Sequence, residues 1–295
     1  MRTQDRRLAA LIILTSVFTA GVAQTPSDSP LPDERAFLEN VRKKLKTDQQ
    51  LLRQYTYTRK LVALRFDKNG KVKRTESRIY EVFPAPEEDH TYQRLISKNG
   101  KPLSARELEE QDRKRNKKEA EWKKKLEKET PPERARRLAH EAEEKRKDEQ
   151  EIDEAFNLYD LRMLGRRQLD GRPVIAISFQ PKPNYKAKID DAKILQKIRG
   201  TALLSEEDHE LARIDIELLD TFSYGLVLAR LDKGARATFE RRKINNEIWL
   251  PARAHFEGNL RLLVFKGIRE DVSAEFSDYK KFTVESSVKF GDVKR

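Results

Sequence analysis

The residues of this 295-residue chain best suited to acid–base or metal chemistry are its four histidines, His90, His140, His209 and His255. None has a second histidine or a carboxylate at helical ligand spacing on an apolar face, so no metal set is read from them. The run Glu206-Glu207-Asp208 has the composition of a turn rather than of an acid–base pair. There is no G-x-S-x-G, no phosphate-cradling glycine loop and no cysteine nucleophile. Tyr55-Thr56-Tyr57-Thr58-Arg59-Lys60 interleaves aromatic and basic residues, as a single-strand nucleic-acid platform does. A half-buried strand shows the same alternation, and that is the reading taken. The expectation is therefore a non-enzyme with no catalytic residue, no metal, no cofactor and no nucleic-acid partner.

Export supports that reading. Arg2, Arg6 and Arg7 precede an apolar run, Leu8–Val22, and Gly21 and Ala23 supply the small residues that signal peptidase requires. The run is short of the roughly 20 residues of a membrane span. A signal peptide is expected over 1–23, cleaved between Ala23 and Gln24, with the mature chain periplasmic or secreted. The absence of cysteine removes disulfides, thiolate metal sites and an N-terminal lipid on cysteine together. The net charge is +12, and the leader's three arginines against Asp5 leave +10 for the mature chain. A basic exported surface suits anionic lipid or another anionic envelope partner.

Residues 24–32 read as a Pro/Ser linker, and Phe37, Val41 and Leu45 mark the apolar stripe of a helix over about 33–54, with Leu38 and Leu52 on its flanks. Strands follow over 55–66, 72–83 and 90–98, with Asn69-Gly70 and Asn99-Gly100 as turns. Ser104/Glu107 and Thr130/Glu133 are capping boxes that open two charged helices within 104–156. That segment holds 16 basic and 17 acidic residues, so it carries none of the basic excess. Seven Glu-to-basic i,i+4 pairs are available to lace it, from Glu109–Arg113 to Glu143–Lys147. A solvated arm is expected, with Trp122 the anchor if the arm docks a partner. From Tyr159 the β pattern returns: 159–169, 172–180, 197–204, 212–218, 225–231, 235–244, 248–257 and 260–267, with a short helix at 191–196. Ala212, Ile214, Ile216 and Leu218 alternate with Arg213, Asp215 and Glu217, one face dry and one wet. The fold class is α+β: a curved antiparallel sheet of about ten or eleven strands, a half-barrel, formed by 33–103 and 157–295, with the 104–156 helical hairpin inserted.

The run Lys197–Leu219, then Ile248-Trp249-Leu250-Pro251, then Phe276-Ser277-Asp278-Tyr279-Lys280-Lys281-Phe282, resembles the periplasmic LolA-like fold of lipoprotein-sorting carriers. The resemblance covers about 157–282 and extends to 36–98. It implies a half-barrel around an apolar cavity for acyl chains, and a non-catalytic carrier of lipid or lipoprotein. The 104–156 arm and the missing lipid-anchoring cysteine depart from the family pattern, and none of its functional residues maps to a position here. The sheet's dry face, expected to carry Ile214, Ile216, Leu218, Trp249, Phe256, Leu262 and Val264, must pack on the first helix or around a ligand. A different class of function uses the same elements: an envelope protein that binds a polypeptide or membrane partner, with the charged arm as docking element.

Overall fold

The computed structural model describes residues 29–45, 54–84, 91–189, 193–224, 229–262 and 268–281. The leader and its cleavage residues Ala23 and Gln24 lie outside them, as does Val264. Residues 31–295 form one compact unit. Helix α1 (Glu34–Leu45) opens at Asp33, whose carboxylate accepts from the Ala36 amide at 2.8 Å and satisfies one orphan N–H of the first turn. Its stripe, Phe37 and Val41, is buried.

The sheet then begins with β1 (Tyr55–Phe66), β2 (Val72–Pro84), β3 (Thr91–Lys98) and β4 (Lys101–Pro102). Two long helices intervene, α2 (Ala105–Glu127) and α3 (Pro131–Leu158). The sheet resumes with β5 (Tyr159–Leu169), β6 (Arg172–Pro181), a 3-10 turn at Leu195–Lys197, β7 (Ile198–Ser205) and β8 (Leu211–Leu218). It ends with β9 (Phe222–Tyr224), β10 (Ala229–Leu231), β11 (Arg236–Ile244), β12 (Ile248–Leu262) and β13 (Ile268–Lys281). All 13 strands belong to one sheet in the order β4-β3-β2-β1-β13-β12-β11-β8-β7-β6-β5, with β9 and β10 set beside β12. The expected set lacked β4 and β9, which have two or three residues each and are too short to show a period, and also β13, and it divided β12 after residue 257. The pairings are antiparallel.

Turn chemistry sets the register. Asn99-Gly100 and Asp170-Gly171 each hold two successive positive φ angles, the backbone of a two-residue hairpin whose twist matches the strands, and Asn245-Asn246 hold the same pair in a three-residue turn between Ile244 and Ile248. At the first hairpin only Gly70 is positive; the Asp67 carboxylate instead accepts from the amides of Asn69 and Lys71, and the register slips by one residue at Phe66.

Both capping boxes form: the Ser104 and Thr130 amides donate to Glu107 at 2.9 Å and Glu133 at 2.8 Å. Between them the ion pairs differ from the expected set. Glu110–Lys114 forms at 2.8 Å, but Arg115–Glu119, Lys117–Glu121 and Arg137–Glu141 run with the base N-terminal, the weaker sense. Arg137 is drawn further, to Glu129 at 2.9 Å across the interhelix turn, which local spacing does not reveal.

The two ends of the hairpin are built into the body. Arg94 pairs with Asp112 at 2.8 Å, and Arg115 lies over the rings of Phe83 and Tyr92. At the other end Arg42 pairs with Asp153 at 2.8 Å, and Leu158 is fully buried. No residue of α2 is buried. Replacing 117–147 with a short Gly/Ser turn is therefore expected to move the melting midpoint by only a few degrees in thermal unfolding followed by circular dichroism. Loss of cooperative unfolding would show that the distal hairpin belongs to the core.

Candidate functional site: an apolar cleft on the inner face

Strand β6 carries Val174-Ile175-Ala176-Ile177, four successive buried residues, so both of its faces are covered. On the inner face Ile175 and Ile177 meet Phe37 and Val41 of α1, with Leu204 of β7. Burying each large aliphatic side chain there contributes about 1.5–3 kcal/mol. Helix α1 is also held by polar contacts at its rim. Glu34 accepts from the Met163 amide at 3.1 Å, and Lys44 approaches Glu210 at 3.8 Å.

Helix α1 and the end of α3 do not fill the space above the sheet. An apolar cleft of about 160 Å³ remains, walled by Leu38, Val41 and Phe156 above and by Ile177, Ala202, Leu204 and Ile214 below. Phe179 and Tyr159 close one end, their rings edge-on at 5.0 Å. The Tyr159 hydroxyl donates to the Leu195 carbonyl at 2.9 Å, and burial holds the phenol well above its ordinary pKa. The group is neutral, satisfied and presents only its ring.

Beyond α1 the same face continues as two apolar rows. One runs Phe179, Gly200, Ile216, Ala237, Phe256, Val272, Ala63; the other runs Ile177, Ala202, Ile214, Phe239, Ala254, Ala274, Leu61. Most of these side chains from β11 to β1 are only half-buried.

The opposite face is a lattice of charge. Arg213, Glu240, Arg253, Glu275 and Lys60 stand in one cross-strand row, with Arg253–Glu240 at 3.1 Å and Lys60–Glu275 at 3.2 Å. A larger cleft of about 580 Å³ opens there, but its charges are already matched: Arg162–Asp160 at 2.8 Å, Arg199–Glu217 at 2.9 Å and Asp215 with Arg213 at 2.8 Å. Saturated surface pairs offer little to a ligand. The smaller, apolar cleft is the better site.

The expected site residues separate into groups. Ile214 and Ile216 pack on the inner face with Phe179, Phe256 stands further along it, and Leu218 is buried at the end of β8. Trp249 goes elsewhere. It packs with Val174 and Ala212 on the outer side of the sheet and donates its indole N–H to Asp208 at 2.8 Å. Ala212 leaves the inner row because of a bulge, since Leu203 pairs with Arg213 but Leu204 with Leu211. Leu262 pairs through its backbone with Ala229 at the end of β12, and Val264 lies outside the described residues. Ile177, Phe179 and Ala202 were not singled out by the sequence reading, although an unbroken V-I-A-I run is the signal of a strand covered on both faces.

The Glu206-Glu207-Asp208 run forms a turn that is tied into the body by ion pairs. Glu206 holds Arg166 through two bonds of 2.6 Å, and Asp208 holds Lys243 at 2.8 Å. Glu210 takes Arg241 at 3.2 Å, and the His209 ring rests on Phe37 at 5.2 Å. Burial pushes the Asp208 pKa up, but the bonds from Lys243, Trp249 and Ser205 outweigh it and hold the group below its ordinary value. His255 and Asp271 lie 3.0 Å apart on the outer face, both accessible, with Thr238 and Ser273 opposite His255 on the neighbouring strands. Among the described residues no group of three His, Asp or Glu side chains could hold a metal ion. No described helix is long and apolar enough to cross a membrane.

No protein-family model and no curated protein matches this sequence. Solved structures do. A domain of a putative outer membrane lipoprotein-sorting protein from Vibrio parahaemolyticus is 10% identical, with 88% of this chain and 99% of that one covered, at a TM-score of 0.34. A DUF1329 family protein from Desulfovibrio piger is 13% identical over 87% and 96%, at 0.29. A LolA superfamily protein from Nitrosomonas europaea is 7% identical over 85% and 96%, at 0.28. Each of these matches covers most of the chain.

Proposed function

We propose that this is an exported, non-catalytic carrier that holds an acyl chain, of a lipid or a lipoprotein, against the inner face of its sheet. The observation that carries the reading is the wholly apolar cleft beside α1, continuous with an apolar wall that no described helix covers. Its size sets the mode of binding. A cavity of about 150 Å³ takes one benzene-sized group, so this cleft seats about six carbons. At about 0.8 kcal/mol per CH₂ that contributes roughly 5 kcal/mol, short of the roughly 8 kcal/mol of micromolar affinity. The rest of the chain must lie along the wall past Ile216 and Phe256. The leader-like first 23 residues support export, and the unassigned acid–base inventory fits a carrier.

Filling the cleft tests this. Ala202→Phe places a ring in the cleft between Ile177 and Ile214. It is expected to weaken binding of a fluorescent fatty acid about tenfold or more while the melting midpoint stays within a few degrees. If wild-type protein takes up no acyl probe and releases no lipid on solvent extraction, the carrier reading is wrong. Weight then passes to a polypeptide or membrane partner docking on the hairpin, where Leu126 and Leu138 are exposed and α2 buries nothing.

A further inference from the structure

At β2 the row of Leu61 reaches Arg78 and the row of Ala63 reaches Glu76, among a cluster of basic residues. Arg59 of β1 points to the inner face, in line with Leu61 and Ala63 and paired across to Phe276 and Tyr80. Arg78 and Lys98 continue the row of Leu61, and Arg74 lies on the same face of β2. Against these stand Glu76, which Arg74 and Arg78 share at 2.7 and 3.0 Å, and Glu270, which Arg65 occupies at 2.8 Å. The patch is left with three uncompensated positive charges.

Arg59 is the least satisfied of them. Its guanidinium lies over the Tyr80 ring at 5.1 Å, donates to the neutral side-chain oxygen of Gln93, and meets no carboxylate among the described residues. Its Nε–H is buried with no partner at all. Elsewhere in this chain a sequestered arginine is matched: Arg166 by Glu206, Arg241 by Glu210, Arg94 by Glu81 and Asp112. An arginine on an apolar face with spare donors is costly unless an anion completes it. A planar guanidinium fixed by an aromatic ring is also pre-organised to grip a carboxylate or phosphate with two parallel bonds.

We infer that the ligand is an anionic amphiphile lying across the strands, its acyl chain on the apolar rows and its acidic head group on Arg59, with Arg78 beside it. From β8 to β1 is four strand spacings, about 19 Å, which suits a long chain with its head at Arg59 and its tail in the cleft below α1. This rests on the carrier reading and gives it a direction and a chemical class. A free fatty acid and an acidic phospholipid offer the same two features.

The test compares charged and neutral ligands of one chain length on the full mature protein. Wild type is expected to bind oleate about tenfold or more tighter than methyl oleate, and Arg59→Gln to abolish that preference while keeping its affinity for methyl oleate. Arg59→Lys, which keeps the charge and loses the fork, should retain part of the preference. Circular dichroism of each variant confirms that it is folded, and the wild-type ratio decides the matter without any variant. Dioleoylphosphatidylglycerol against dioleoylphosphatidylcholine, each in mixed micelles, asks whether a phosphate head is favoured over the carboxylate. Equal affinity of wild type for oleate and methyl oleate, or an unchanged ratio in Arg59→Gln, overturns the head-group assignment and leaves the acyl site standing. Binding of neither lipid overturns the acyl site and the assignment with it.

Discussion

Replacing Asp208 with alanine is expected to cost about 3 kcal/mol of stability, read as a fall in the urea midpoint with an unchanged slope. The carboxylate takes both the Lys243 ammonium, at 2.8 and 2.9 Å, and the Trp249 indole N–H at 2.8 Å. The Lys243 side chain is only 8% exposed, so removing the carboxylate strands a sequestered ammonium and a buried N–H together. The same contacts give a pH signature. The folded-state pKa of Asp208 lies below its unfolded value, so its contribution is fully present above about pH 4 and fades as the pH falls through the lower folded value. Asp208→Asn should therefore lose stability at neutral pH and show a shallower acid limb than wild type. An acid limb identical to wild type would show that Asp208 is not coupled to folding.

A single methyl group at Gly200 should be nearly as damaging. A Cβ there would stand 2.0 Å from the Asp215 carbonyl oxygen and 2.7 Å from the tip of the Phe179 ring. The first neighbour is backbone of the paired strand and cannot turn aside. Gly200→Ala must part β7 from β8 or displace Phe179, at about 3 kcal/mol by the measure of overpacked cores. Because Phe179 closes the cleft, acyl-probe binding should fall along with stability, and amide exchange should quicken first in β7 and β8. Wild-type exchange rates in those two strands would refute the clash.

Much of this fold was legible where the signal is local. Asn99-Gly100, Asp170-Gly171 and Asn245-Asn246 announced their turns because few other residues tolerate two successive positive φ angles. Ser104 and Thr130 announced helix starts because a capping box spans four residues. What escaped was set at a distance. Asp208 was read only as part of a turn, since Lys243 and Trp249 lie 35 and 41 residues away and no spacing rule links them. Trp249 and Ala212 were expected on the cleft face but pack together with Val174, and the register shifts beside them, at Glu240/Arg241 and at Leu203/Leu204, leave no mark in the alternation of the sequence. Arg59 looked like one basic residue in an alternating strand. Its isolation shows only once Phe276 and Tyr80 are known as its neighbours.

One pairing bears on how the molecule comes to exist at all. Strand β1 lies against β13, with Tyr55 opposite Lys281 and Arg65 opposite Glu270, so the earliest strand is completed by the last. Among the described residues, only β13 on the main strand path joins the β1–β4 block to the block running from β12 to β5. The chain must be made as far as Lys281 before that seam can close, and contacts spanning over 200 residues form slowly. Until then the two blocks expose raw strand edges, open to any neighbouring chain. A chain ending before Ile268 would hold two half-sheets and no seam, so late truncations should aggregate rather than persist as shortened folded chains.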